Sequence, residues 1–114
     1  MYKLIILLPG PEGLPEDWHL FLHQAEVLPG LRREATSHVL HPLYGESDVV
    51  ILHELFFDDL AALEKALASP NGTEAAKILH SITKGRVTLL IAEHKEDAIE
   101  NIHKFRDLEV APDA

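Results

Sequence analysis

Residues 48–72 read DVVILHELFFDDLAALEKALASPNG, and this stretch decides the fold. Val50, Leu52, Glu54 and Phe56 share one parity. Val49, Ile51, His53, Leu55 and Phe57 share the other. Successive side chains of a strand point to opposite faces, so residues 48–57 predict a strand that is apolar on both sides. Asp58 follows as a capping carboxylate. Leu60, Leu63, Ala66 and Leu67 then recur at helical spacing to about Ser69, where Pro70-Asn71-Gly72 punctuates the chain.

The flanking segments repeat this alternation. Residues 2–8 (YKLIILL) predict another strand apolar on both faces, and Pro9-Gly10-Pro11 ends it. A helix is expected from near Pro15, with Glu16 and Asp17 at its positive end and Trp18, Phe21, Leu22, Ala25 and Leu28 along one side. Residues 31–41 (LRREATSHVLH) predict a polar second strand, and 42–46 a turn. Beyond Gly72, Thr73, Ala76, Ile78, Leu79 and Ile82 suggest a helix up to Gly85. Residues 86–93 (RVTLLIAE) predict a fourth strand, 95–106 a last helix, and the tail is expected to be loose.

The order is β-α-β-β-α-β, the ferredoxin-like α+β plan, in which helices cover one face of a four-stranded antiparallel sheet. Two helices cover one face only, yet strands 1, 3 and 4 are apolar on both. An open face of Leu, Ile and Val in water is an unusual patch. The simplest cover is a second copy of the chain, giving a homodimer packed sheet to sheet, with the polar second strand at an edge. The alternative is a monomer whose C-terminal helix folds back over the open face.

Composition narrows the function. With 114 residues the chain is read as one domain, 1–114, with its core in 2–93. The formal net charge of −9 and the lack of any basic stripe argue against nucleic acid as a partner. No apolar run has transmembrane length, and residues 2–8 are too short for a secretion signal, so no membrane partner is expected. There are no cysteines, which removes disulfides and thiolate chemistry and fits a reducing, cytoplasmic setting. No glycine-rich phosphate loop or nucleophile elbow is present, so no nucleotide cofactor is expected. The compositional oddity is eight histidines, the side chains best suited to proton or metal chemistry near neutral pH.

Two pieces of sequence resemble the EthD family. LPGLRRE (28–34) is similar to the family's LPGLRRY stretch, and ELFFDDLAALEKALASPNG (54–72) is similar to its ELWFDSLEALRAALASPEG element. The resemblance covers roughly residues 2–93. It implies a dimeric α/β barrel with a cleft in each subunit, acting on a hydrophobic, oxygenated and often aromatic compound. It further implies a monooxygenase-like or isomerase/lyase-like activity without a bound cofactor, cofactor-independent oxygenation being one variant. Phe21 stands where the family carries a helix-1 histidine, with His23 two residues on, and the loop before it lacks the family's arginine.

Several residues are candidates for chemistry. By the family register Phe57 faces the helices and Phe56 the barrel, which would put Glu54 in the cleft beside Leu52 and Phe56 as substrate-binding side chains. Such a carboxylate is either an acid–base group or a structural partner for Arg32, Arg33 or Lys3. Glu34, Thr36 and His38 share one face of the second strand. Thr36 as a substrate contact and His38 as a catalytic group are expected to meet Glu54 across the cleft, with His23 as a third catalytic group. His19 and His23, four residues apart on one helix face, suit two metal ligands but lack a third. Solvated helix histidines are the alternative. The remaining reading is a non-catalytic ligand-binding or accessory dimer.

Overall fold

A computed structural model describes residues 1–98. These form β1 (Tyr2–Pro9), α1 (Trp18–Ala25), β2 (Arg33–His38), β3 (Val49–Phe57), α2 (Leu60–Ala68), α3 (Pro70–Thr83) and β4 (Thr88–Glu93). The four strands make one antiparallel sheet in the order β2-β3-β1-β4, which is the ferredoxin-like arrangement. Residues 94–98 are irregular, and the rest of the helix expected over 95–106 lies outside the described residues.

Pairing sets the two faces. Ile6 lies opposite His53, Leu4 opposite Leu55 and Leu8 opposite Ile51. These side chains and Phe57 are buried beneath the helices with Trp18, Phe21, Ala25, Leu63, Ala66 and Leu79. Full burial of one such Leu, Ile or Phe stabilises by about 1.5–3 kcal/mol. The opposite face carries Ile5, Leu7 and Leu52, all half-buried. No helix covers that face among the described residues.

Local boundaries differ from the sequence reading for identifiable reasons. α1 starts three residues later than expected, because 15–17 form a turn in which the Trp18 N–H donates to the Pro15 carbonyl at 3.1 Å. Asp59, not Asp58, caps α2, accepting from the Ala62 N–H at 2.7 Å. Asp58 instead accepts three hydrogen bonds from the Arg32 guanidinium, at 3.1 and 3.0 Å from Nε and 2.9 Å from Nη2. Pro70-Asn71-Gly72 ends nothing. It is the first turn of α3, with Ser69 as N-cap and Pro70 at the first helical position, where its missing N–H is no loss. Gly72 is there because α2 crosses so closely that a Cβ would lie 2.1 Å from the Ala66 carbonyl oxygen.

Candidate functional site

β3 places His53 on the helix side of the sheet, where it is 0 % exposed. The edges of Trp18 and Phe21 in α1 meet its ring in T-shaped contacts, with centroids 5.1 and 6.0 Å away. β2 supplies the polar partners, because Thr36 pairs directly with His53 across the ladder and Glu34 lies two residues along the same face. Thr36 Oγ1 is 2.7 Å from His53 Nδ1, and Glu34 Oε2 is 2.8 Å from His53 Nε2. A carboxylate only accepts, so Nε2 carries a proton and donates to Glu34. In the neutral ring Nδ1 then accepts from the Thr36 hydroxyl. The result is a hydroxyl–imidazole–carboxylate chain with both ring nitrogens engaged. Its ends reach the surface, since Thr36 is exposed and the Glu34 side chain is 25 % exposed.

Glu54 lies on the other face. Its Oε2 is 2.5 Å from Lys3 Nζ, so of the three structural partners weighed from sequence Lys3 holds it. Thr36 and Glu54 therefore do not meet, contrary to expectation. The pairing register puts Thr36 opposite His53 and Ala35 opposite Glu54, so Thr36 and Glu54 are on opposite sides of the sheet. His38 pairs with Ile51 on the helix side and is exposed at the end of β2, so it does not reach Glu54 either. Leu52 and Phe56 share the open face with Glu54, as the family register implied. Phe56 is buried there under the Arg33 guanidinium, 4.1 Å from the ring centroid, with Lys3 Nζ at 5.4 Å and the His94 ring at 4.9 Å.

His23 is exposed on α1, with Nδ1 3.8 Å from the Glu26 carboxylate, and does not join His53. His19 is also exposed, and no cluster of three metal-ligating side chains forms among the described residues. The residue missed from sequence is His53. Parity and the family register put it with Phe57 on the helix side, but only the strand pairing shows that Glu34 and Thr36 converge on it.

Electrostatic perturbation lies at the surface. The Arg32 hydrogen bond holds the Asp58 carboxyl below its ordinary range, and Asp58 raises Arg32 in return. Glu96 is lowered by the hydrogen bond from His94, 2.6 Å away, and by the charge of Arg33.

No family model matches the chain, and no curated protein matches it. Solved structures do. An EthD family protein from Bacillus halodurans superposes with a TM-score of 0.70 at 24% identity, covering 83% of this chain and 99% of that one. A hydroxynitrile lyase from Passiflora edulis gives 0.65 at 14% identity, covering 85% and 95%. A dimeric protein of unknown function and ferredoxin-like fold from Bacteroides fragilis gives 0.53 at 20% identity, covering 82% and 95%. The two motif pieces read from sequence and this structural likeness converge: the chain resembles the EthD family, and its fold is the one an EthD family protein has.

Proposed function

We propose that the chain is a homodimeric, cytoplasmic small-molecule enzyme of the EthD type, moving a proton on a hydrophobic, oxygenated compound. The observation that carries this is the hydrogen-bonded chain Thr36–His53–Glu34 set against Trp18 and Phe21. A proton leaving the substrate passes to the exposed Thr36 hydroxyl as that hydroxyl gives its own proton to His53 Nδ1. The Glu34 carboxylate stabilises the imidazolium that forms, and the reverse transfer delivers the proton to the product. The catalytic part expected of His38 and Glu54 passes to His53 and Glu34, because only the latter pair is joined. Lyase, isomerase and oxygenase variants of such chemistry all begin with this proton abstraction. That a hydroxynitrile lyase has the same fold supports the reading.

The homodimer is supported by the half-buried apolar face of β1 and β3 and by a dimeric protein of the same fold. It is also supported by the loop after β2, where Leu40, Leu43 and Tyr44 are 89%, 96% and 99% exposed, surface that a partner would cover.

Native mass spectrometry of untagged protein taken straight from purification tests the proposal. The expected species is a dimer carrying a small organic molecule that the wild-type protein converts and His53→Gln does not. A ligand-free monomer would refute it. The second reading, a non-catalytic binding dimer, is favoured by the complete enclosure of His53. It predicts that His53→Gln retains the ligand and that wild-type protein leaves the ligand unchanged.

A further inference from the structure

Away from the Thr36–His53–Glu34 chain, a cavity of about 410 Å³ opens beneath the loop joining β1 to α1. Its volume falls within the range of about 300–1,000 Å³ that small-molecule sites occupy. Leu8, Leu14 and Ile82 give it apolar lining, and Lys84 and Arg86 give it two cations. Thr36 lies two strands away in the order β2-β3-β1, so this cavity is separate from the site above.

Lys84 and Arg86 are unusual in an acidic chain. Among the described residues neither is joined to a carboxylate in an ion pair. Both are exposed, and the fold fixes the backbone of Lys84 and the guanidinium of Arg86. Lys84 ends α3 in the left-handed conformation, φ 55°, with its N–H donating to the Ser81 carbonyl at 3.3 Å. Arg86 Nη2 donates to the Gly10 carbonyl at 3.3 Å, which pins the guanidinium to the loop. Glu12 and Glu16 also line the cavity from that loop, and both are exposed.

We infer that this cavity is a second binding site, for an amphipathic carboxylic acid. The apolar body of the ligand lies on Leu8, Leu14 and Ile82, and its carboxylate meets Arg86 and Lys84. Arg86 presents a planar donor fork suited to a carboxylate.

Isothermal titration calorimetry of the protein follows the binding of octanoate and of 1-octanol. The expected result is saturable binding of octanoate, at least tenfold weaker binding of octanol, and at least tenfold loss of octanoate affinity in Lys84→Ala/Arg86→Ala with octanol binding unchanged. His53→Gln is expected to bind octanoate as wild type does, which separates this site from the catalytic reading. Equal binding of acid and alcohol, no saturable binding of octanoate, or full octanoate affinity in the double variant would each overturn the inference. Single variants Lys84→Gln and Arg86→Gln, each expected to weaken octanoate binding several-fold, keep the test decisive should the double variant fail to fold.

Discussion

His53 is held by four neighbours from other elements, Glu34, Thr36, Trp18 and Phe21. Replacing it with Leu removes both hydrogen bonds and leaves Glu34 and Thr36 without their partner. Glu34 is partly hydrated, so the cost is set by lost bonds more than by a stranded charge. Urea denaturation is expected to show a loss of about 1–3 kcal/mol. No change would mean that the ring serves only as packing. Lys3 and Glu54 behave differently, since their side chains are only 17% and 16% exposed. Lys3→Met leaves a carboxylate unpaired on an apolar face, with an expected cost of about 1–3 kcal/mol. Adding Glu54→Leu should recover much of it, and simple additivity of the two single changes would show the pair to be uncoupled. Asp58 supplies a pH signature. Its pKa is lowered in the folded state by Arg32, so the native state binds fewer protons there than the unfolded chain does. That stability is present above the ordinary carboxylate range and is lost as pH falls through the depressed value. Asp58→Asn should therefore be less stable than wild type at neutral pH, and the gap should close in acid. A gap that persists below the folded pKa would mean that the pair acts through packing.

The α2–α3 corner is the most constrained element junction. Ser69 closes α2 and caps α3, its hydroxyl accepting from the Gly72 N–H at 3.0 Å and donating to the Ala66 carbonyl at 2.6 Å. With so little room at Gly72, Gly72→Ala must push the two helices apart. Its expected cost is about 3 kcal/mol or more, at the upper end of overpacking effects. A thermal melt near wild type would show that the corner yields easily. β4 shows the opposite situation. Leu89, Leu90 and Ile91 remain about half exposed, although Leu89 and Ile91 are on the helix side, because the helices pack chiefly over β1 and β3.

At the scale of the whole molecule, 14 residues make a core on one side of the sheet while the other side is left half-covered. The proposed homodimer would bury that second side, and apolar area removed from water stabilises by about 25 cal/mol per Å². Leu52→Glu places a charge at the centre of this face beside Glu54. Analytical ultracentrifugation should then show monomer where wild type shows dimer, and an unchanged dimer would sink pairing through the sheet.

The sequence by itself determined the order of the strands and helices and the excess of apolar faces over available helices. It also carried the resemblance to the EthD family, because periodicity, capping residues and motif spacing are local properties of the chain. It determined that either His53 or Glu54 had to enter an enclosed environment, since neighbours in a strand face opposite ways. The family register put Glu54 on the open face and His53 with Phe57 on the helix side, and the tertiary structure alone decided which side chains of β2 reach each. Register between β2 and β3 is fixed by long-range pairing, and a shift of one residue exchanges every side chain between faces. That register brings Glu34 and Thr36 to His53 and leaves Glu54 to Lys3. The helix start at Pro70 was hidden for a similar reason: Pro-Asn-Gly is turn chemistry in isolation, and only the close crossing of α2 makes a glycine necessary inside a helix.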